Sequence, residues 1–249
     1  METKQPAFRS PSAVAGAFIA LGLIVAVSIG AYAFYSVQLF SGSLSVTGSA
    51  TTQVTSDQVS WTMSISRQVK ASALKSGYDQ LADDLAAVEQ FFSAHNVATT
   101  SLDVSPVSMD EVYNYKSDAT VDTEKEYTLS QRIVLSSGDI QGVTAMSKEA
   151  SDIARSGVIF QTQALDYSYS KLPDLRVSLL ADAIRDAKAR AAKLAEPSGQ
   201  TVGPLKSASL GVVQVMSPNS VDVSDYGTYD TSSIDKEIMV TVRASFAIR

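Results

Sequence analysis

From Ala13 to Tyr35 the chain runs AVAGAFIALGLIVAVSIGAYAFY, 23 residues without a charge and apolar all round rather than along one stripe. At about 1.5 Å of rise per residue, a helix of this length spans the roughly 30 Å hydrocarbon core of a bilayer, so the run predicts a transmembrane anchor. Ala13 opens it, Phe18, Leu21, Leu23, Ile24, Val25 and Ile29 form its apolar body, and Tyr32, Phe34 and Tyr35 resemble an interfacial aromatic belt. Lys4 and Arg9 precede it, whereas the first charge after it is Asp57, which places residues 1–12 in the cytoplasm and the bulk of the chain outside. A cleaved signal peptide is the competing reading, because Ala31-Tyr32-Ala33 has the small-x-small form that signal peptidase accepts. The run is longer than the ~7–15 residues of a signal core, which favours the anchor. Export follows from either.

Residues 36–42 are uncharged and read as a tether. Residues 43–249 then alternate between two periods. Leu44 and Val46 alternate with Ser and Thr, and Val59, Trp61, Met63 and Ile65 do so over a full strand. The period changes at about residue 70. Leu74, Tyr78, Leu81, Leu85, Val88 and Phe92 make one stripe of an amphipathic helix reaching residue 95. Strands follow near 101–109 and 127–135, the second with Tyr127, Leu129, Ile133 and Leu135 on one face, and an irregular acidic stretch separates them. Asp139 is suited to cap a second helix whose stripe is Ile140, Val143, Met146, Ala150 and Ile153, with Gly157 ending it. A strand near 163–169 leads to Pro173 and a third helix with the stripe Val177, Leu180, Ile184, Ala187, Ala191 and Leu194, closed by Pro197 and Gly199. Asp186 and Arg190 lie one turn apart on it and predict a surface ion pair. Two strands finish the chain, 202–215 and 238–248. Paired strands interleaved with helices predict an α+β domain, a largely antiparallel sheet covered by three amphipathic helices.

Composition narrows the chemistry. A net charge of −6 without any concentration of Lys and Arg argues against nucleic acid as a partner. With no cysteine there is no disulfide framework, thiolate nucleophile or lipidated cysteine.

The stretch SVTGSATTQVTSDQVSWTMSIS resembles the opening of SIMPL-domain (DUF541) proteins, a Val-x-Gly-x-Gly/Ala strand running into a polar turn with Asp. Leu81-Ala82-Asp83-Asp84-Leu85 with His95-Asn96-Val97 and Leu102-Asp103-Val104 is similar to that family's helix, turn and strand, although Asn96-Val97 replaces its usual Gly-Ile/Val. Leu179 to Gly211 looks like its Ala-rich helix and strand entry, and IMVTVRASFAIR like its closing strand. The resemblance covers nearly all of residues 43–249. It implies a periplasmic or otherwise exported α+β domain, self-assembly into rings or hollow oligomers, stress-linked roles and no established enzymatic activity, hence no catalytic residue and no cofactor. A bacterial-type, single-pass membrane location, with the bilayer and further copies of the chain as partners, follows from the anchor and the resemblance together.

His95, the only histidine, falls where the first amphipathic helix should end, and an imidazolium there favours the negative helix terminus. Ser72 and Lys75 satisfy the Ser-x-x-Lys spacing of a serine hydrolase, without the other motifs of that class. Asp222, Asp225, Asp230 and Asp235 crowd residues 217–235, where a solvated surface is the simplest expectation and a ligand or Ca²⁺ site the alternative. Tyr113, Tyr115, Tyr226 and Tyr229 punctuate the two acidic loops and are candidate contacts between copies.

Overall fold

A computed structural model of the chain describes the backbone of residues 11–39, 42–112, 125–220 and 224–249, and within the first of these the side chains of 15, 16 and 18–34. The apolar run forms helix α1 (Pro11–Leu39), which continues through four of the residues expected to be tether. Phe18, Leu21, Leu23, Ile24, Val25, Ile29 and Tyr32 are exposed on it, at 51–76% of their surface. Among the described residues no helix is long and apolar enough to cross a membrane. The side chains described without a break on α1, residues 18–34, account for about 26 Å of rise against the roughly 30 Å of a bilayer core. Ala13 and Tyr35 lie outside the described side chains.

The rest of the chain is α+β and builds two sheets. Strands β1 (Ser43–Thr55), β7 (Val202–Met216) and β8 (Asp235–Ile248) form a three-stranded sheet in the order β1-β8-β7. Strands β2 (Gln58–Lys70), β3 (Leu102–Val104), β5 (Glu126–Ser137) and β6 (Phe160–Ser168) lie in the order β3-β5-β2-β6, and β4 (Ser108–Val112) also pairs with β5. The pairings in this second sheet are antiparallel, with Trp61 opposite Leu135 and Met63 opposite Ile133. Helices α2 (Leu74–Ala94), α3 (Ile140–Glu149), α4 (Ser151–Arg155) and α5 (Leu172–Ala195) complete the fold.

Two compact units result. One comprises residues 51–179 and 212–239, the other residues 1–50, 180–211 and 240–249. The core of the first joins Val59, Trp61, Met63 and Ile65 of β2 to Ile133 and Leu135 of β5, with α2 supplying Leu81, Val88 and Phe92. Trp61 meets Phe92 edge-on at 5.5 Å, and its indole N–H donates to Thr162 Oγ1 at 3.2 Å, so the largest buried ring keeps its one polar group satisfied. The core of the second unit is Val46, Val242, Ala244 and Phe246 against Ala183, Ala187 and Ala191.

Four local expectations are corrected. The 101–109 strand is two strands, because Pro106 lacks an N–H, and Ser105 ties the interruption to Arg132 through both its backbone N–H and its hydroxyl oxygen. The 139–157 helix breaks at Ala150, where Ile153 N–H turns to the Ala150 carbonyl in a tighter three-residue bond. The stripe of α2 holds at Leu74, Leu81, Leu85, Val88 and Phe92, but Tyr78 is exposed and Gly77 and Asp84 also turn inward. Glycine at 77 lets the helix press on Val69, and Asp84 turns in to a two-pronged pair with Arg67, Nε–Oδ2 2.5 Å and Nη2–Oδ1 2.6 Å. The stripe of α5 is rotated. Val177 and Leu194 are 70% and 62% exposed, while Ala183, Ala187, Ala191 and Ala195 are buried. Gly48 explains the rotation within the second unit. A Cβ there would stand 2.2 Å from the Ala183 carbonyl oxygen and 2.4 Å from Ala187 N, so β1 and α5 meet backbone to backbone and only alanines fit between.

Candidate functional site

Strand β8 begins three residues earlier than its hydrophobic run suggests, and this brings Lys236 onto the inward row shared by Ile238 and Val240. Its side chain is fully buried. The ammonium donates to the Asp230 carbonyl at 2.6 Å and to the Ser233 carbonyl at 2.8 Å. Burial lowers its pKa, with Asp230 and Asp166 opposing that shift. Asp230 itself accepts from the Ser232 N–H at 2.9 Å, the Ser232 hydroxyl at 2.7 Å and the Ser233 hydroxyl. Burial works to raise the Asp230 pKa, but these donors and Lys236 hold it down at about 2.

The other end of the loop rests on Gln214, also buried. Its Nε2 donates to the Ser224 carbonyl at 2.6 Å, and its Oε1 accepts from Thr228 N–H at 2.8 Å and Thr228 Oγ1 at 2.7 Å. Val215 N–H reaches the Thr228 carbonyl and Asp230 N–H the Val215 carbonyl, a short parallel bridge that docks Tyr229 on β7. Gly227 adopts φ +87°, in the left-handed region, and a Cβ there would stand 3.0 Å from the Val213 carbonyl oxygen. A side chain would strain the turn and push it off the strand. Residues 224–236 are thus fixed at both ends by buried polar side chains. At the tip of this braced loop Tyr226 is 97% exposed, and Tyr229 is half exposed beside it.

The loop presents Asp225 and the tyrosines outward and ties Asp230 and Asp235 to neighbouring hydroxyls. Asp235 accepts from Thr55 Oγ1 at 2.9 Å and Asp230 from two serines, while Asp225 is exposed beside Tyr226 in the sequence. Where a bound cation would neutralise the loop carbonyls, the Lys236 ammonium already does so. Among the described residues no group of three or more His, Cys, Asp or Glu side chains is placed to hold a metal. Asp222, Tyr113 and Tyr115 lie outside the described residues. The alternation Lys236, Ile238, Val240, Val242 carried the signal for Lys236, since extending it two residues back puts the lysine inside. Gln214 gives no such warning, as a polar residue between Val213 and Val215.

The remaining candidates take part in surface ion pairs and a helix cap. Lys75 is 94% exposed and its ammonium lies 3.8 Å from Asp79, whereas a lysine that activates a serine is desolvated. His95 caps α2, with Nδ1 2.8 Å from the Phe91 carbonyl and Nε2 3.1 Å from Glu149 Oε2. The Asp186–Arg190 pair forms at 2.8 Å.

No curated protein matches the chain. The family resemblance is borne out over most of its length: the model of the SIMPL family, described as a protein of unknown function (DUF541), matches residues 44–246, and the chain belongs to that family.

Proposed function

We propose that this SIMPL-family protein is a non-enzymatic, membrane-tethered envelope module that self-associates, with the braced loop 224–236 as a contact surface and Tyr226 as its anchor. The observation that carries the proposal is the combination of a rigidly held loop and a tyrosine 97% exposed at its tip. A side chain with two rotatable bonds on a fixed loop loses little entropy on contact, and tyrosine brings both apolar area and a hydroxyl. The ten large hydrophobic side chains exposed on α1 among the described residues support a tether in lipid, since a continuous apolar surface of that kind is costly in water. The charge asymmetry about the run supports a cytoplasmic N-terminus with the α+β part on the far side. A contact between Tyr226 and a different patch of the next copy repeats head to tail and closes into a ring when the rotation permits.

Light scattering of the detergent-solubilised full chain tests this. A defined multimer is expected, and Tyr226→Ser should shift it to smaller species at unchanged melting temperature. A strict monomer at all practical concentrations overturns self-association, and a multimer indifferent to Tyr226→Ser overturns the assignment of this loop. Intact-mass measurement on the mature protein distinguishes a retained α1 from cleavage after Ala33.

A further inference from the structure

The single histidine of the chain stands between two groups that both accept. At its Nδ1 is the Phe91 main-chain carbonyl, 2.8 Å away, and at its Nε2 the Glu149 carboxylate, 3.1 Å away. A carbonyl has no proton to give, and neither has an ionised carboxylate. A neutral imidazole owns one N–H and can satisfy one of the two, whereas the imidazolium satisfies both. The surroundings favour that charge independently. His95 caps the C-terminus of α2, where the helix carbonyls converge. The Phe91 ring lies 4.4 Å from the imidazole, centroid to centroid, within range of a cation–π contact. The charged groups bearing on the ring are Glu149 at the end of α3 and Asp152 on α4, the latter bonded to Arg155, and Asp139 lines the same groove. The hydrogen bonds to Phe91 and then Glu149 raise the His95 pKa against a lowering by burial.

The position gives the charge a mechanical consequence. Glu149 is the last residue of α3, immediately before the break at Ala150, and His95 begins the turn through Asn96, which holds φ +61°. The imidazole therefore fastens the end of one helix to the end of another. Both ends border a groove also lined by Asn96, Ser101 and Ser137. We propose that His95 is a proton-operated clamp: the imidazolium ties α2 to α3 across the mouth of this groove, and loss of its proton releases one of the two ties and frees the α3 end. An envelope domain facing an outside of variable acidity would be tightened at this corner by acid and loosened by alkali.

Having one histidine makes the test direct. Labelling the full-length detergent-solubilised protein with ¹³C histidine yields one imidazole signal, whose titration midpoint should lie above the ordinary 6.5 and fall back toward it in Glu149→Gln. Hydrogen exchange at the 96–98 amides, compared with Glu149→Gln at the same pH so that intrinsic rates cancel, should be several-fold slower in the wild type below the midpoint and converge above it. A midpoint at or below 6.5, or a raised midpoint with no difference in exchange between wild type and Glu149→Gln, overturns the clamp. Glu149→Gln leaves the ring in place, so the test does not depend on a histidine-free protein folding.

Discussion

The Lys236 ammonium donates to the main-chain oxygen of Asp230 from inside the fold, at 2.6 Å, and so closes a loop whose outer end carries the most exposed tyrosine of the described chain. The relationship couples a buried charge to a surface feature. A lysine bonded to carbonyls organises loop backbone, whereas the same ammonium paired with a surface carboxylate would organise little.

Replacing Lys236 with Met keeps the volume and removes the donor. The Asp230 and Ser233 carbonyls then lose their partner, at a cost of about 1–3 kcal/mol. The loss should be local. Amide exchange across residues 224–234 is expected to rise while β2 and β5 keep their protection, and the assembly should weaken as expected for Tyr226→Ser. Unchanged exchange in the loop would show that Lys236 does not brace it.

Gly48→Ala tests the close approach in the second unit. The added methyl meets helix backbone at 2.2 and 2.4 Å rather than a side chain that could swing aside, so β1 and α5 must separate. Overpacking against backbone costs about 2–3 kcal/mol, read as a lowered melting temperature. Gly138→Ala is the control, since a Cβ there meets only ordinary contacts at 3.7 Å or more. Equal melting temperatures for the two variants would remove the explanation given for the alanine face of α5.

That face also shows where the sequence was legible and where it was not. Strand and helix positions follow from periodicity, because alternation at Val59–Ile65 and a helical repeat at Leu81–Phe92 leave one way to bury the apolar residues. The caps were legible too: Asp139 accepts from Gly142 N–H at 2.9 Å, and Gly157 and Gly199 hold positive φ. Helix rotation was not. Counting large apolar residues put Val177 and Leu194 inside, but a glycine 135 residues away from Ala183 selects the alanines, and no local pattern reports it. Asp84 was left off the helix stripe for a similar reason, since its partner Arg67 lies on β2 and no helical spacing reports it. At the loop, the tyrosines were visible as exposed aromatics. The bracing by Gln214 and Lys236 depends on three-dimensional pairing and was hidden.

Acid and alkali should destabilise the protein through different residues. Asp57, bonded by the Ser170 hydroxyl and N–H at 2.7 Å each, Asp186 and Asp230 all have pKa values below the ordinary 3.8. The folded state binds their protons more weakly than the unfolded chain, so their stabilisation is complete above about pH 4 and fades as pH falls through the folded values, about 2 for Asp230. His95 has the opposite sign. Its folded pKa is raised, so its contribution is full below 6.5 and disappears as pH rises through the folded value. Thermal unfolding against pH should therefore show a plateau between about 4 and 6.5 with a decline on each side. Asp230→Asn should flatten the acid limb and Glu149→Gln the alkaline one; a variant that flattens the wrong limb would refute the assignment.

Asp186 separates a surface ion pair from the hydrogen bond beneath it. Its Oδ2 accepts both from Arg190 and from the Ser49 N–H at 2.8 Å, the residue after Gly48. The first contact is the helical pair expected from spacing alone, and exposed pairs of this kind are worth about 0.3–0.5 kcal/mol. The second fixes β1 against α5 where the backbones come closest, and it lowers the Asp186 pKa more than Arg190 does. Arg190→Ala should therefore shift the melting temperature little. Asp186→Ala should cost about 1–2 kcal/mol, because the Ser49 N–H is left without its acceptor at a position where the close packing leaves little room for water. Asp186→Asn keeps an acceptor oxygen and should recover most of that loss, and it should also remove the part of the acid sensitivity that belongs to this carboxylate. If Arg190→Ala proved as costly as Asp186→Ala, the ion pair and not the Ser49 bond would be what joins the strand to the helix.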